Sequence, residues 1–218
     1  LDRAAEKVIG EAGAVSAFKG YHPAQSPYPF PAVTCISVND EVVHGIPSKR
    51  QLAGGDVVSV DIGVKLKNYH GDAARTWPVG EVSPETKRLL DVGKGALTAA
   101  VARVKPGVKL REICGTTQEF VESGGFQVVK QFVGHGIGRR LHEPPQIPNY
   151  VTYSFDMNLT LRPGMALAFE PMVCAGTDGV RNRRRDWPVV TCDGKTSVHF
   201  EDTVLVTADG AEVLTATD

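Results

Sequence analysis

No apolar run in these 218 residues approaches the ~20 that a bilayer-spanning helix requires, so no membrane partner is expected. An excess of either charge is missing too. Twenty-four Lys+Arg against 25 Asp+Glu leave a net charge of −1, which gives no reason to expect DNA or a lipid surface. Cysteine is scarce, and Cys35, Cys114, Cys174 and Cys192 lack paired spacing. That argues against a disulfide framework and a zinc-finger pattern, and a reducing cytoplasm is the simplest setting. The opening Leu-Asp-Arg-Ala-Ala-Glu-Lys lacks the apolar segment of a secretory signal. What is present is 42% hydrophobic and 22% charged, enough for one globular domain or two small fused halves.

Residues 1–11 read as a helix ended by Gly13, and the Pro-rich stretch 23–31 reads as a loop because its prolines lack amide donors. Residues 32–38 read as a strand, 56–64 and 69–79 as a strand pair. Ser83 caps a helix over 83–104 with Pro84 in its first turn, and a second helix over 109–123 ends at Gly124-Gly125. Further strands are predicted at 126–133, 165–174, 187–192 and 199–207, with Ala216 and Thr217 fraying.

A faint duplication runs through this order. Residues 110–126 (helix, Gly-Gly, apolar strand) resemble 1–15, and the turn, apolar strand and acid at 55–61 resemble those at 163–170. Two such halves would set related acids about a pseudo-twofold axis. A long helix precedes the matching helix in the second half only, so roughly 30 residues of a parent protein are expected to be absent at the start.

Three acids occupy apolar strands: Asp61 after Val57-Val58-Ser59-Val60, Glu170 after Ala166-Leu167-Ala168-Phe169, and Glu201 between Phe200 and the run Thr203-Val204-Leu205-Val206. An unpaired buried carboxylate costs several kcal/mol or shifts its pKa until it is neutral. One such acid has an ordinary explanation as an ion pair; three do not. If 57–64 and 69–79 form a hairpin centred between Leu66 and Lys67, Asp61 and Asp72 stand directly opposed with Cβ atoms ~4.5–5.5 Å apart. Like charges so placed call for a cation between them. His135, in Gly134-His135-Gly136-Ile137-Gly138, has an imidazole that its glycine neighbours leave unshielded. Four carboxylates with one neutral imidazole balance two divalent ions, and such a donor set suits Mn, Fe(II), Co or Zn. Paired ions of this kind serve hydrolytic chemistry.

At these residues the chain resembles the methionine aminopeptidases of the short bacterial type, which are pita-bread metallopeptidases. The likeness runs over essentially the whole chain, through Ile36-Ser37-Val38-Asn39-Asp40-Glu41-Val42-Val43-His44-Gly45-Ile46-Pro47, Tyr69-His70-Gly71-Asp72, Gly134-His135-Gly136-Ile137-Gly138, His142-Glu143-Pro144-Pro145, Phe169-Glu170-Pro171-Met172 and Phe200-Glu201. It implies an α+β fold, with antiparallel sheet covered by helices in pseudo-twofold halves, forming a single catalytic domain over residues 1–218. It implies Asp61, Asp72, His135, Glu170 and Glu201 as ligands of two metal ions, Asp61 bidentate and Glu201 shared, with Glu170 also the base. His44 and His142 would contact the substrate amide and the tetrahedral intermediate; without the resemblance both read as surface or capping histidines. Tyr21, Phe30, Cys35 and Trp187 would line the pocket for the first side chain, a lining that suits a methionine thioether. The implied substrates are the N-termini of nascent polypeptides, and the implied state is a monomer.

Three departures stand out. The Pro-rich segment between Tyr21 and Cys35 is longer than usual, Phe18 stands where a small cysteine is common, and His199-Phe200-Glu201-Asp202-Thr203 replaces the usual Gln before the aromatic residue and His after the glutamate. The last is closer to the proline-dipeptidase branch, which itself carries Arg where His199 stands. An X-Pro-cleaving enzyme with the same ligands is therefore the alternative, and an inactive protein-binding module of the same fold is another. Arg181, Arg183, Arg184 and Arg185 form a basic cluster, read as a solvated loop, with a transient contact to ribosomal RNA as the competing reading.

Overall fold

Prolines and glycines cut the backbone into short pieces, and antiparallel pairing reunites them. The computed structural model describes residues 1–24, 26, 28–183 and 186–216. In chain order the elements are α1 (Asp2–Glu11), β1 (Val15–Ser16), β2 (Cys35–Val38), β3 (Glu41–Val43), β4 (Val57–Leu66), β5 (Tyr69–Pro78), α2 (Pro84–Ala102), α3 (Leu110–Ser123), β6 (Gln127–Val128), β7 (Gly134–Gly136), β8 (Glu143–Ile147), β9 (Ala166–Phe169), β10 (Met172–Cys174), β11 (Val180–Asn182), β12 (Val189–Thr191), β13 (Ser197–His199), β14 (Asp202–Val206) and β15 (Ala211–Val213). They form four antiparallel sheets: β1-β4-β2 with β5 on β4, β13-β10-β6, β11-β12-β3, and β15-β14-β9-β7-β8. Among the described residues no helix is long and apolar enough to cross a membrane. The end of the chain, where fraying was expected, is described only as far as Ala216; Thr217 lies outside.

The helices start where the sequence signals them. Ser83 Oγ accepts from the Thr86 amide at 3.1 Å with Pro84 in the first turn, and Glu112 returns to the Lys109 amide at 3.1 Å. Each buries one stripe: Leu89, Gly93, Ala96, Leu97 and Ala100 on α2, and Leu110, Ile113, Cys114, Thr117 and Val121 on α3. These stripes pack with Leu167, Phe169, Val198, Phe200 and Val204 in the largest core. Gly93 lets α2 lie directly on the segment leading to Glu201: a Cβ there would meet Val198 Cγ2 at 2.6 Å and the Phe200 ring at 3.0 Å.

The two halves repeat one construction. In each, a helix ends near a left-handed glycine (Gly13, φ 66°; Gly125, φ 80°), then a two-residue strand pairs with a longer-range partner, β1 with β4 and β6 with β10.

The hairpin register differs from the expected one. Lys67 (φ 48°) and Asn68 (φ 68°) form a two-residue turn with both centres left-handed, as a type I′ turn requires. Asn68 tolerates that conformation, so the turn sits one residue later than expected, and Asp61 pairs with Ala74 while Asp72 pairs with Gly63. The two aspartates keep the same face but become diagonal neighbours. The strands expected over 165–174 and 199–207 are each interrupted at their acid, into β9 and β10 around Glu170-Pro171 and into β13 and β14 around Phe200-Glu201. Residues 126–133 give only β6, and β3, β7, β8, β11 and β15 were not anticipated, being too short to carry a period.

Overpacking at Gly93 tests the close seat of α2. Gly93→Leu is expected to destabilise the fold by roughly 1–3 kcal/mol. A lowered urea midpoint at unchanged slope would show it, and an unchanged midpoint would refute the close approach.

Candidate metal centre

Asp61 and Asp72 come from the first sheet, His135, Glu170 and Glu201 from the second half of the chain. On the face that β4 and β5 share, Ala74 stands opposite Asp61 and Gly63 opposite Asp72. Asp61 thus faces only a methyl group, and Asp72 a residue with no side chain. Gly63 is roofed by Phe18, whose ring would lie 2.4 Å from a Cβ there.

The sheets meet at one backbone bridge, Ala74 with Glu201, where the Glu201 amide donates to Ala74 O at 2.9 Å. A threonine clasps it on either side. Thr203 Oγ accepts from the Asp72 amide (2.9 Å) and donates to Asp72 O (2.8 Å). Thr76 Oγ accepts from the His199 amide (2.9 Å) and donates to His199 O (2.7 Å). Two strands too irregular to ladder are thereby held in register, with Asp72 and Glu201 side by side.

His135 lies on β7, paired to Ala168 of β9. Its Nδ1 is 2.9 Å from Gly136 O, an acceptor, so Nδ1 carries the proton and Nε2 presents a lone pair. Ligand atoms of Asp72, His135 and Glu201 lie within 4.8 Å of one another. His135 Nε2 is 3.7 Å from Glu170 Oε1, and Asn149 holds the Glu170 carbonyl at 3.1 Å.

The electrostatics are those of crowded acids short of positive charge. Burial pushes the Asp61, Glu170 and Glu201 carboxyls well above their usual range, and neighbouring carboxylates add to it, Asp72 foremost in each case. Burial lifts Asp72 to about 7. Asp61 Oδ1 and Asp72 Oδ1 are buried without any hydrogen-bond partner. Desolvation holds the histidines neutral, His44 and His142 at about 4 and His199 at about 3; His142, exposed on its cavity side, is further lowered by His135, His44 and His70.

All the expected site residues face one cavity of about 1430 Å³: the four acids and His135 just described, His44, His142, Tyr21, Phe30, Cys35 and Trp187. His44 takes a left-handed backbone (φ 60°), which turns its ring in between Phe132 and Trp187, at 5.4 and 6.0 Å. Strained backbone of this kind is concentrated at functional sites. His142 Nδ1 meets the Tyr21 hydroxyl at 3.0 Å, and its ring stands 4.4 Å from that of His135. Phe18, Phe30, Cys35 and Trp187 form one apolar cluster, with Phe30 edge-on to Trp187 at 5.2 Å. The Pro-rich segment folds back on it: Trp187 Nε1 donates to Tyr28 O at 2.9 Å, while Gln25 and Pro27 lie outside the described residues.

The sequence profile of metallopeptidase family M24 matches residues 2–208. The chain belongs to metallopeptidase family M24. It is 46% identical to methionine aminopeptidase 1 of Bacillus subtilis over 215 residues, 99% of this chain and 84% of that protein. The crystal structure of methionine aminopeptidase from Thermotoga maritima superposes with a TM-score of 0.92 at 43% identity, covering 99% of this chain and 84% of that one. The prolidase of Pyrococcus horikoshii is more distant, with a TM-score of 0.68 at 26% identity over 85% of this chain and 48% of its own. The M24 fold is the expected pita bread, α+β with antiparallel sheets and helices packed against them.

A divalent cation fits the donor set on this structure's own terms. Two buried carboxylate oxygens lack partners, and hard oxygen donors stand beside a lone-pair imidazole nitrogen, the combination that suits Mn, Fe(II), Co or Zn. Of the altered residues beside Glu201, Asp202 turns away and pairs Arg75 at 2.7 Å, whereas His199 turns in, with Nε2 at 3.7 Å from Glu170 Oε2. Sequence reasoning treated His199 as a departure rather than a site residue; its parity with Glu201, two positions on, was the available signal. The basic cluster is less available than it looked: Arg183 pairs Asp40 (3.1 Å) and Glu41 (2.6 Å), and Arg184 and Arg185 lie outside the described residues.

Because folding raises the Asp72 pKa from 3.8 to about 7, the metal-free folded state binds a proton that the unfolded chain releases in that interval. Stability from this group is therefore present at low pH and lost as pH rises through the window. The melting temperature of chelator-treated protein is expected to change less favourably from pH 4.5 to pH 7 than that of Asp72→Asn, by roughly 2–4 °C. Parallel curves for the two proteins would disprove the raised pKa that burial gives Asp72.

Proposed function

We propose that this chain is a dinuclear metal-dependent aminopeptidase that removes the initiator methionine from nascent polypeptides, its 218 residues acting as one catalytic unit. The observation that carries the reading is the shared cavity: convergent acids and His135 on one wall, an apolar and aromatic pocket on the other, and two neutral histidines between them. Its relatives of high coverage are methionine aminopeptidases, and all five expected ligand residues are in place, which speaks against an inactive module.

Asp61, Asp72, His135, Glu170 and Glu201 would hold the two ions, with Mn, Fe(II), Co and Zn all compatible. Bound there, the ions would polarise the scissile carbonyl and lower the pKa of an attacking water. The rest of the work belongs to side chains. The substrate's free amino terminus would be anchored at the metal centre these five residues build, which makes the reaction exopeptidic. Phe18, Phe30, Cys35 and Trp187 receive the first side chain, and a flexible thioether packs well against rings and sulfur. Glu170, its carboxyl raised by burial and by Asp72, is suited to take a proton at Oε and return it to the leaving amine. His44 and His142, both neutral, can donate N–H to the scissile amide and to charge developing on its oxygen, and Tyr21 fixes the His142 ring.

Purified protein is expected to cleave Met-Gly-Met-Met, to lose that activity on chelation, and to regain it with Mn(II) or Co(II). Preference for Ala-Pro dipeptides would replace this reading with the proline-specific one, to which the residues beside Glu201 are closer. Glu170→Gln is expected to lower kcat by roughly 10²–10⁴-fold, and Asp61→Asn to lower the metal content measured by plasma emission. A normal rate in Glu170→Gln would remove it as the base.

A further inference from the structure

His199 Nε2 is the one buried side-chain nitrogen without a hydrogen-bond partner among the described residues. The side chain is sealed, at 2% exposure, and its backbone cannot drift, because Thr76 Oγ bonds both its amide and its carbonyl. Nε2 stands 3.7 Å from Glu170 Oε2 and 4.0 Å from Glu201 Oε2. Both neighbours are acceptors, so a lone pair on Nε2 would repel them and an N–H would attract them. The gap to a hydrogen bond is roughly 0.5 Å, within the rotation of a glutamate carboxylate.

The position of the ring relative to the cavity defines its role. Glu170 and Glu201 line the cavity, but His199 does not; the carboxylates stand between it and the space where ions and substrate would sit. Nor does its nitrogen join the cluster of ligand atoms formed by Asp72, His135 and Glu201. We propose that His199 is a positioning residue of the metal centre, its Nε2–H donating to Glu170 Oε2 and Glu201 Oε2 from behind and so orienting both acids toward the ions. This rests on the metal-dependent reading above. A neutral amide would offer the same N–H, whereas an apolar side chain of equal size would leave both carboxylates unsupported.

Partners behind metal ligands commonly change affinity by roughly 10–100-fold when removed. The test titrates metal-free wild type, His199→Leu and His199→Gln with Mn(II) and Co(II), records the Co(II) visible spectrum, and compares metal-free melting temperatures. His199→Leu keeps the volume and removes the donor; His199→Ala takes its place if it does not fold. The expected result is an affinity loss of about tenfold or more in His199→Leu, with His199→Gln close to wild type and wild-type-like in its spectrum. Wild-type affinity and spectrum in His199→Leu would overturn the proposal and leave the ring as core filling. Equal losses in both variants, with the Co(II) band altered in each, would overturn it in favour of direct ligation. A wild type that takes up neither ion would instead overturn the metal-centre reading itself.

Discussion

Everything in this molecule is arranged around the repulsion of four buried carboxylates. Asp61, Asp72, Glu170 and Glu201 line one cavity that no lysine or arginine among the described residues lines, and Asp72 raises the pKa of the other three. A folded chain meets such a demand by protonation or by cations. Protonation explains how the chain can fold without metal; it does not explain why an imidazole lone pair and two unpartnered oxygens are directed to the same place. A divalent metal cofactor explains both.

That demand accounts for the irregularity of the sheets. A regular β-ladder would have spaced the acids along strands and buried them in pairs against bulky neighbours. Instead β9–β10 and β13–β14 break at Glu170 and Glu201, and a single bridge with two threonine clasps replaces the ladder between β5 and the second half. Ala74 offers only a methyl group opposite Asp61, and Gly63 opposite Asp72 makes way for the Phe18 ring. Glycine at position 93 lowers α2 onto the break that carries Glu201, so the largest core supports the same point from outside.

Much of this was legible because burying charge is expensive: an acid inside a valine run announces itself whatever the fold. Asp61, Glu170 and Glu201, and the capped helix at Ser83, rested on local chemistry of that kind, whereas Asp72 was reached through an expected hairpin register and His135 through its glycine neighbours. The hairpin register had no such basis, since Lys67-Asn68 is a weak turn signal and a shift of one residue at the turn re-pairs both aspartates. The break at Glu170 had a local signal in Pro171, which cannot donate to a ladder. The break at Glu201 had none, since its flanking residues have strand propensity and its bridge is to the distant Ala74.

The residues flanking Glu201 show how such departures divide. Side chains alternate along an extended segment, so changes at 199 and 202 cannot both face the site that 201 faces. Asp202 turns away from the cavity, where it pairs with Arg75 and accepts from the Thr215 hydroxyl, at 2.7 Å each. His199 goes inward, to the rear of two carboxylates. The apolar cluster of Phe18, Phe30, Cys35 and Trp187 contains neither. The altered motif therefore bears on the surroundings of the two glutamates rather than on that cluster.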